Sequence, residues 1–224
     1  MTFSIAAFCK DTGMLGCAIS SSSISVTSRC AFAKSGVGVA LTQNITNPDL
    51  APLALKLIQD DMAIDEVMAK LKQNDNNYQW RQLGILNTKG DIQMFSGQHT
   101  LDIHAQYQGN HCFAMGNLLA NTDVPKKMVE FFQESKQLDF PNRLYGALNA
   151  GLQAGGELGS EHSAGILVYE KQNWPCVDLR VDWHEKPIAE LKKVLDEYLP
   201  QMQAYITRAL DPVHSESYGV PGDE

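Results

Sequence analysis

The stretch TFSIAAFC (residues 2–9), followed by KDTG (10–13) and MLGCAISSSSISV (14–26), decides the fold. Two apolar, partly β-branched runs flank a polar turn that ends in glycine, which is typical of a β-hairpin. A turn centred on Asp11 and Thr12 sets Thr2 opposite the serine run 20–23 when the strands pair antiparallel. The sequence therefore predicts that Thr2 begins a strand beside a row of serine hydroxyls.

The rest of the chain shows strand and helix patterns in alternating groups. Strands are expected as pairs within 30–44 and 81–97 and singly within 163–171 and 175–182. Amphipathic helices are expected at 47–61, 62–75 and 141–156, and as one helix or a broken pair at 187–210, with the break near Pro200. Residues 111–121 are expected to pass from a strand into a helix that includes 125–135.

This order of elements favours an α+β layered fold. A four-layer αββα sandwich, with two antiparallel sheets inside and helices outside, would use every element. Composition alone does not choose it over a three-layer α+β domain. We expect one domain over residues 1–210 and a polar C-terminal tail over 211–224.

The bulk composition mainly excludes classes of partner. The 224 residues carry a formal charge of −8, which argues against nucleic acid and anionic membranes as partners. No secretory leader or apolar span is evident, so a cytoplasmic location is expected. The 5 cysteines are scattered and the 6 histidines lack ligand spacing, so we expect neither metal nor cofactor. A small-molecule substrate and a homo-oligomer are the expected partners.

Several motifs, in order, carry a resemblance to a bacterial family. They are MTFSI, LTQN with NP, RQLG, MGNLLA, RLYGALNAG, AGG followed by SAGIL, and VDLRVDWHEKPIAEL, from residue 1 to about residue 191. Together they resemble the family called domain of unknown function 1028. The chain departs from the usual pattern of that family at Glu157, Gly159, His162 and Trp183.

The family is grouped with the N-terminal-nucleophile hydrolases, so the resemblance implies the αββα sandwich. It also implies, less firmly, cleavage of an amide bond by the side chain of a first residue that is Thr, Ser or Cys. Loss of Met1 would make Thr2 that residue. The threonine hydroxyl needs a base, and its own α-amine, with a pKa of about 7.7 to 8.0, suits that role near neutral pH.

Other polar residues are candidates around Thr2. Backbone amides in the serine run, which includes Ser21 and Ser22, and the side chain of Asn117 would donate hydrogen bonds to the developing oxyanion. Gln43 would orient the substrate or the amine. Each has a structural alternative: solvated hydroxyls on an exposed edge for the serines, a helix cap for Asn117 and a strand end for Gln43.

The segment DLRVD places three charged residues on one face of a strand. In a functional interpretation Arg180 binds a substrate carboxylate in bidentate fashion and Asp182, with Asp178, fixes its fork. A structural row of ion pairs is the favoured interpretation.

The resemblance thus implies an amide-bond hydrolase acting on a small amide, lactam or peptide-like metabolite through an acyl-enzyme on Thr2. The alternative is a catalytically inactive binding or assembly protein with the same fold. A chain that keeps Met1 favours the alternative.

Overall fold

The computed structural model describes residues 1–222, and across them the chain forms ten β-strands and six α-helices. The strands are β1 (Thr2–Phe8), β2 (Leu15–Ser21), β3 (Ala31–Lys34), β4 (Gly38–Asn44), β5 (Arg81–Asn87), β6 (Ile92–Ser96), β7 (Ala105–Gly109), β8 (Cys112–Asn117), β9 (Ser163–Tyr169) and β10 (Val177–Val181). The helices are α1 (Val26–Cys30), α2 (Leu50–Gln59), α3 (Ile64–Gln73), α4 (Val124–Glu134), α5 (Phe140–Gln153) and α6 (Pro187–Leu210). The predicted α+β class is confirmed.

The strands form two antiparallel sheets within the described residues. The larger sheet has the order β10-β9-β2-β1-β8-β7 and the smaller one β3-β4-β5-β6. In the predicted hairpin, Phe3 lies opposite Ser20, a register that brings Thr2 beside Ser21. On its other side Thr2 lies opposite Asn117 of β8. The predicted pairing of Thr2 with the serine run is therefore confirmed.

The alternation of side chains along β1 separates two hydrophobic clusters. Phe3, Ile5 and Ala7 pack with apolar residues of α4, α5 and α6. Ala6 packs instead with residues of the smaller sheet, such as Leu41. A third cluster joins the smaller sheet to α2 and α3. Because alternate residues share a face, Thr2 lies on the face of β1 that looks toward the smaller sheet.

The longer helices lie close to their expected positions. The α2 and α3 helices bury one apolar face each, as their spacing predicted. Helix α5 begins where the Asp139 carboxylate accepts a hydrogen bond from the Asn142 N–H at 2.8 Å. It stops before Gly155 and Gly156, which both have positive φ, so the predicted glycine stop is confirmed.

Four features differ from the sequence-based expectation. Strand β8 does not run on into a helix: Leu119 forms an isolated antiparallel bridge with Glu157, and α4 starts only at Val124. The strand β7 and the five-residue helix α1 were not predicted, because their residues show no clear pattern in the sequence. Helix α6 continues through Pro200, because apolar residues on both sides of the proline pack on the same cluster.

The end of the chain lies against α6. The Arg208 guanidinium donates hydrogen bonds to the carbonyl oxygens of Glu216 and Ser217 and lies 3.9 Å from the centroid of the Tyr218 ring. Residues 223 and 224 of the predicted tail lie outside the described residues. None of the helices in 1–222 is long and apolar enough to cross a membrane.

Candidate active site

Thr2 lies at the start of a central strand, between two polar neighbours on the same face. Ser21 flanks it from β2 and Asn117 from β8. All three are buried, Thr2 with 5% of its surface exposed and the other two with 0%. Ser20 is buried as well, so the solvated edge considered for the serine run is wrong for Ser20 and Ser21; Ser22 is half-buried and Ser23 exposed.

The hydroxyls of Thr2 and Ser21 converge on one carbonyl oxygen, that of Met1. Ser21 Oγ donates to it at 2.5 Å, and Thr2 Oγ1 is also hydrogen-bonded to it. The two hydroxyl oxygens lie 3.4 Å apart. The Ser23 N–H donates to Ser21 Oγ at 3.0 Å, which fixes the Ser21 side chain. Ser21 is thus placed to donate to the oxygen of an acyl group attached to Thr2.

A buried amide network lies beneath Thr2 and joins the two sheets. Ser4 Oγ donates to Gln43 Oε1 at 2.8 Å, and Gln43 Nε2 donates to Gln82 Oε1 at 2.8 Å. Asn117 Nδ2 donates to the same Gln82 oxygen at 3.0 Å, and Gln82 Nε2 donates to the Gly116 carbonyl oxygen at 3.0 Å. These bonds hold Asn117 beside Thr2.

The network also shows which polar side-chain atoms near Thr2 are already hydrogen-bonded and which are not. Asn117 Oδ1 is buried and has no hydrogen-bond partner among residues 1–222. Gln43 uses both ends of its amide and lies at the level of Ser4, one step deeper than Thr2. Asn117 ends a strand and does not cap α4, whose N-cap is Asp123. The helix-cap alternative for Asn117 is therefore wrong.

Glu157 is a further acidic residue of the site. In the sequence it stood out only as a departure from the family pattern. Its Oε2 accepts a hydrogen bond from the Ser22 N–H at 3.1 Å, while its Oε1 is buried and has no partner among residues 1–222. Burial raises the pKa of Glu157 to about 8; the Met1 ammonium opposes this shift and Glu161 adds to it. Its signal in the sequence was an acidic residue directly after the paired glycines.

The other departures from the family pattern lie around the same place. A Cβ built on Gly159 would lie 3.1 Å from Met1 Cε, so the Met1 side chain runs along this glycine. The His162 N–H donates to the Ser21 carbonyl oxygen at 2.8 Å. Trp183 stacks on the His162 ring with centroids 4.4 Å apart. These residues therefore border the start of β1.

Arg180 lies apart from this cluster, whereas Asp182 directly precedes Trp183 and is exposed. Arg180 is on β10, at the edge of the larger sheet, and β9 and β2 separate it from β1. It forms a bidentate ion pair with Asp178, with distances of 2.7 and 2.9 Å. The exposed Asp182 accepts a hydrogen bond from the Ser25 N–H through its carbonyl oxygen. The pair at Arg180 agrees with the favoured structural interpretation.

The arrangement around Thr2 fits attack on a carbonyl group. It places the Thr2 hydroxyl next to a donor for a carbonyl oxygen, in a buried setting where such hydrogen bonds are strong. Attack would also need a base that accepts the proton of the Thr2 hydroxyl. Removal of Met1 would supply it as the α-amine of Thr2, and Asn117 Oδ1 is an open acceptor next to that residue.

Comparison with known proteins identifies one family. A family model described as "Family of unknown function (DUF1028)" matches residues 2–191. The fold is similar to the crystal structure of a DUF1028 protein from Silicibacter pomeroyi, with a TM-score of 0.82 and 28% sequence identity. That alignment covers 88% of this chain and 85% of the other.

Two further results complete the comparison. The ancestral beta-subunit Anbu from Yersinia bercovieri aligns with a TM-score of 0.40 and 12% identity, over 91% of this chain and 97% of that one. No curated protein matches the sequence.

Proposed function

This chain belongs to the DUF1028 family, and from that premise we propose that it is an amide-bond hydrolase of the N-terminal-nucleophile type. Thr2, exposed as the first residue once Met1 is removed, is the nucleophile. The elements are proposed to form the four-layer αββα sandwich of that class. Three stacked hydrophobic clusters support this architecture: one between the sheets and one between each sheet and its helices.

One observation carries the proposal: the hydroxyls of Thr2 and Ser21 are both bonded to the carbonyl oxygen of the residue that precedes Thr2. The Ser21 hydroxyl would donate in the same way to the carbonyl oxygen of a substrate bound at Thr2. The Thr2 hydroxyl lies next to the same carbonyl group, which supports its assignment as the group that attacks the carbonyl carbon once its proton is taken by a base.

The proposed reaction has two steps. In the first, the α-amine of Thr2 takes the proton of the hydroxyl as Oγ1 attacks the amide carbon, and Ser21 Oγ donates to the carbonyl oxygen. The C–N bond breaks, and the leaving amine receives the proton. In the second, the same amine takes a proton from water, hydroxide attacks the ester, and Thr2 recovers its proton as the acid leaves.

Two measurements test the proposal. Intact mass spectrometry of the natively expressed protein should show a chain that starts at Thr2. A β-lactone probe should then acylate Thr2 at one equivalent, and Thr2→Ala should abolish labelling while leaving the circular dichroism spectrum unchanged. Thr12→Ala, a threonine change in the exposed hairpin turn, is the matched control and should label normally.

A chain that retains Met1 and fails to react with the probe would overturn the proposal. That result would support the alternative, a binding or assembly protein that has this fold without the reaction. Labelling of the Thr2→Ala variant would also overturn it, because another nucleophile would then be responsible.

A further inference from the structure

Resting on the proposed function, we infer that the substrates are amides of α-amino acids with a free amino group and a slender apolar side chain. The substrate class is indicated by the carbonyl group and the side chain of the protein's own Met1, which meet separate parts of the site, and by the buried acid Glu157 beside them.

Met1 is a stand-in for the acyl part of a substrate because of the covalent geometry of threonine. The backbone nitrogen and Oγ1 of Thr2 are attached to neighbouring carbon atoms. An acyl group carried on the nitrogen therefore lies next to the place that one carried on Oγ1 would take. Ser21 Oγ already donates to the carbonyl oxygen of this acyl group, at 2.5 Å.

A buried acid lies beside the stand-in: Glu157 accepts a hydrogen bond from the N–H of Ser22, the neighbour of Ser21, and Gly159, two residues after Glu157, lies against the Met1 side chain. Glu157 is only 5% exposed, and its Oε1 has no partner among residues 1–222 although Oε2 is bonded to the Ser22 N–H. A buried oxygen without a partner is costly. An ammonium group on the substrate removes that cost, whereas a carboxylate or an uncharged acyl chain leaves it.

The side chain of the stand-in sets the size limit. Met1 Cε and Sδ lie 3.1 and 3.6 Å from the position that a Cβ on Gly159 would take. The subsite is therefore open to an unbranched thioether chain because residue 159 has no side chain. The reaction is the one proposed above: Thr2 Oγ1 displaces the amide nitrogen, and water then releases the free amino acid.

The test compares two amides that differ only at the amine. Purified protein with its native N-terminus is given L-methioninamide and N-acetyl-L-methioninamide, and released ammonia is measured. We expect a preference for the free amine. Glu157→Gln should lower the preference roughly 10- to 100-fold, the range for a hydrogen bond to a charged group. Glu185→Gln changes an exposed acid in the same way and should leave the preference unchanged.

A second variant tests the side-chain subsite independently of Glu157. Gly159→Ala should lower kcat/KM for L-methioninamide and leave that for glycinamide unchanged, because only the larger side chain reaches residue 159. Equal losses on both amides would overturn the assignment of this subsite.

The outcomes separate this inference from the proposed function. Equal or better cleavage of the acetylated amide, dependent on Thr2, overturns the inference and leaves the hydrolase intact. An equal loss on both amides in Glu157→Gln also overturns it, because Glu157 would then act on the amine of Thr2. If neither amide is cleaved but Thr2 reacts with the β-lactone, the inference alone fails; if Thr2 is inert as well, both fail.

Discussion

Ser4 of β1 and Gln43 of β4 are joined by a 2.8 Å hydrogen bond that crosses from one sheet to the other. Ser4 lies two residues beyond Thr2 on the same face of the strand. The bond therefore ties the smaller sheet to the larger one directly below the candidate nucleophile. The next link, from Gln43 to Gln82 and on to Asn117, returns to the strand beside Thr2.

The buried network makes Gln82→Met a strongly destabilising change. Methionine fills a similar volume but leaves Gln43 Nε2 and Asn117 Nδ2 without their shared acceptor. Each buried donor left unpaired costs about 1–3 kcal/mol, so the free energy of unfolding should fall by roughly 2–6 kcal/mol. Urea unfolding measures the loss. Gln108→Met, on the exposed strand β7, is the matched control; equal midpoints for the two variants would contradict the prediction.

The hydroxyl of Ser21 is predicted to act on rate rather than on the fold. Because it donates to the carbonyl oxygen beside Thr2, Ser21→Ala should lower kcat about 10²- to 10³-fold, the usual effect of losing one oxyanion donor. Steady-state rates on an amide that Thr2 cleaves provide the measurement. Ser20→Ala is the control, since Ser20 Oγ points to the other face and donates to the Ser163 carbonyl oxygen. Similar losses in both variants would assign the effect to packing.

The local part of this site was open to prediction from the sequence. The turn chemistry of residues 10–13 fixes the hairpin register, and the register alone brings Ser21 beside Thr2. Helices α2, α3 and α5 carried clear apolar periodicity and stop signals, so they too were predictable.

The contacts of this site that join distant parts of the chain could not be predicted from the sequence. Asn117 reaches Thr2 through a pairing of β1 with β8 that no turn specifies. Gln82 and Glu157 come from other parts of the chain, and each looks in sequence like an ordinary polar residue at a strand end or loop. Strand β7 was missed because its exposed residues lack the alternation that a buried face imposes. The break expected at Pro200 gave way to packing of both halves of α6 on one cluster.

The ion pair of Asp75 with Arg81 predicts a stability that depends on pH. Arg81 Nε donates to Asp75 Oδ2 at 2.7 Å, and this contact holds the pKa of the Asp75 carboxyl below its usual range. A lowered pKa stabilises the fold above pH 3.8, and that contribution is lost as the pH falls through the folded-state value. Breaking a buried pair costs about 3–5 kcal/mol, so Asp75→Asn should be destabilised by up to that amount at pH 7.

Urea unfolding from pH 7 to pH 2 is the measurement for the Asp75 prediction. The difference between wild type and Asp75→Asn should shrink toward the acid end, where the wild-type carboxyl becomes protonated. Asp60→Asn is the control, because Asp60 forms an exposed pair with Lys56 that contributes little. A difference that stays constant over the whole range would show that the charge of Asp75 is not the stabilising element.

Gly84 of β5 lies directly against Phe113 of the larger sheet, and its substitution should be costly. A Cβ at this position would lie 2.2 Å from Cε2 of Phe113, a residue of β8 that is fully buried between the sheets. Phe113 cannot swing away without opening the cluster around it, so Gly84→Ala should lower the unfolding free energy by about 1–3 kcal/mol, as overpacking does. Gly159→Ala is the matched control, since its Cβ meets only the flexible end of Met1. Urea midpoints should therefore fall for the Gly84 variant alone. An unchanged midpoint there would mean that the sheets do not meet at Phe113, and the depth assigned to Thr2 between them would have to be revised.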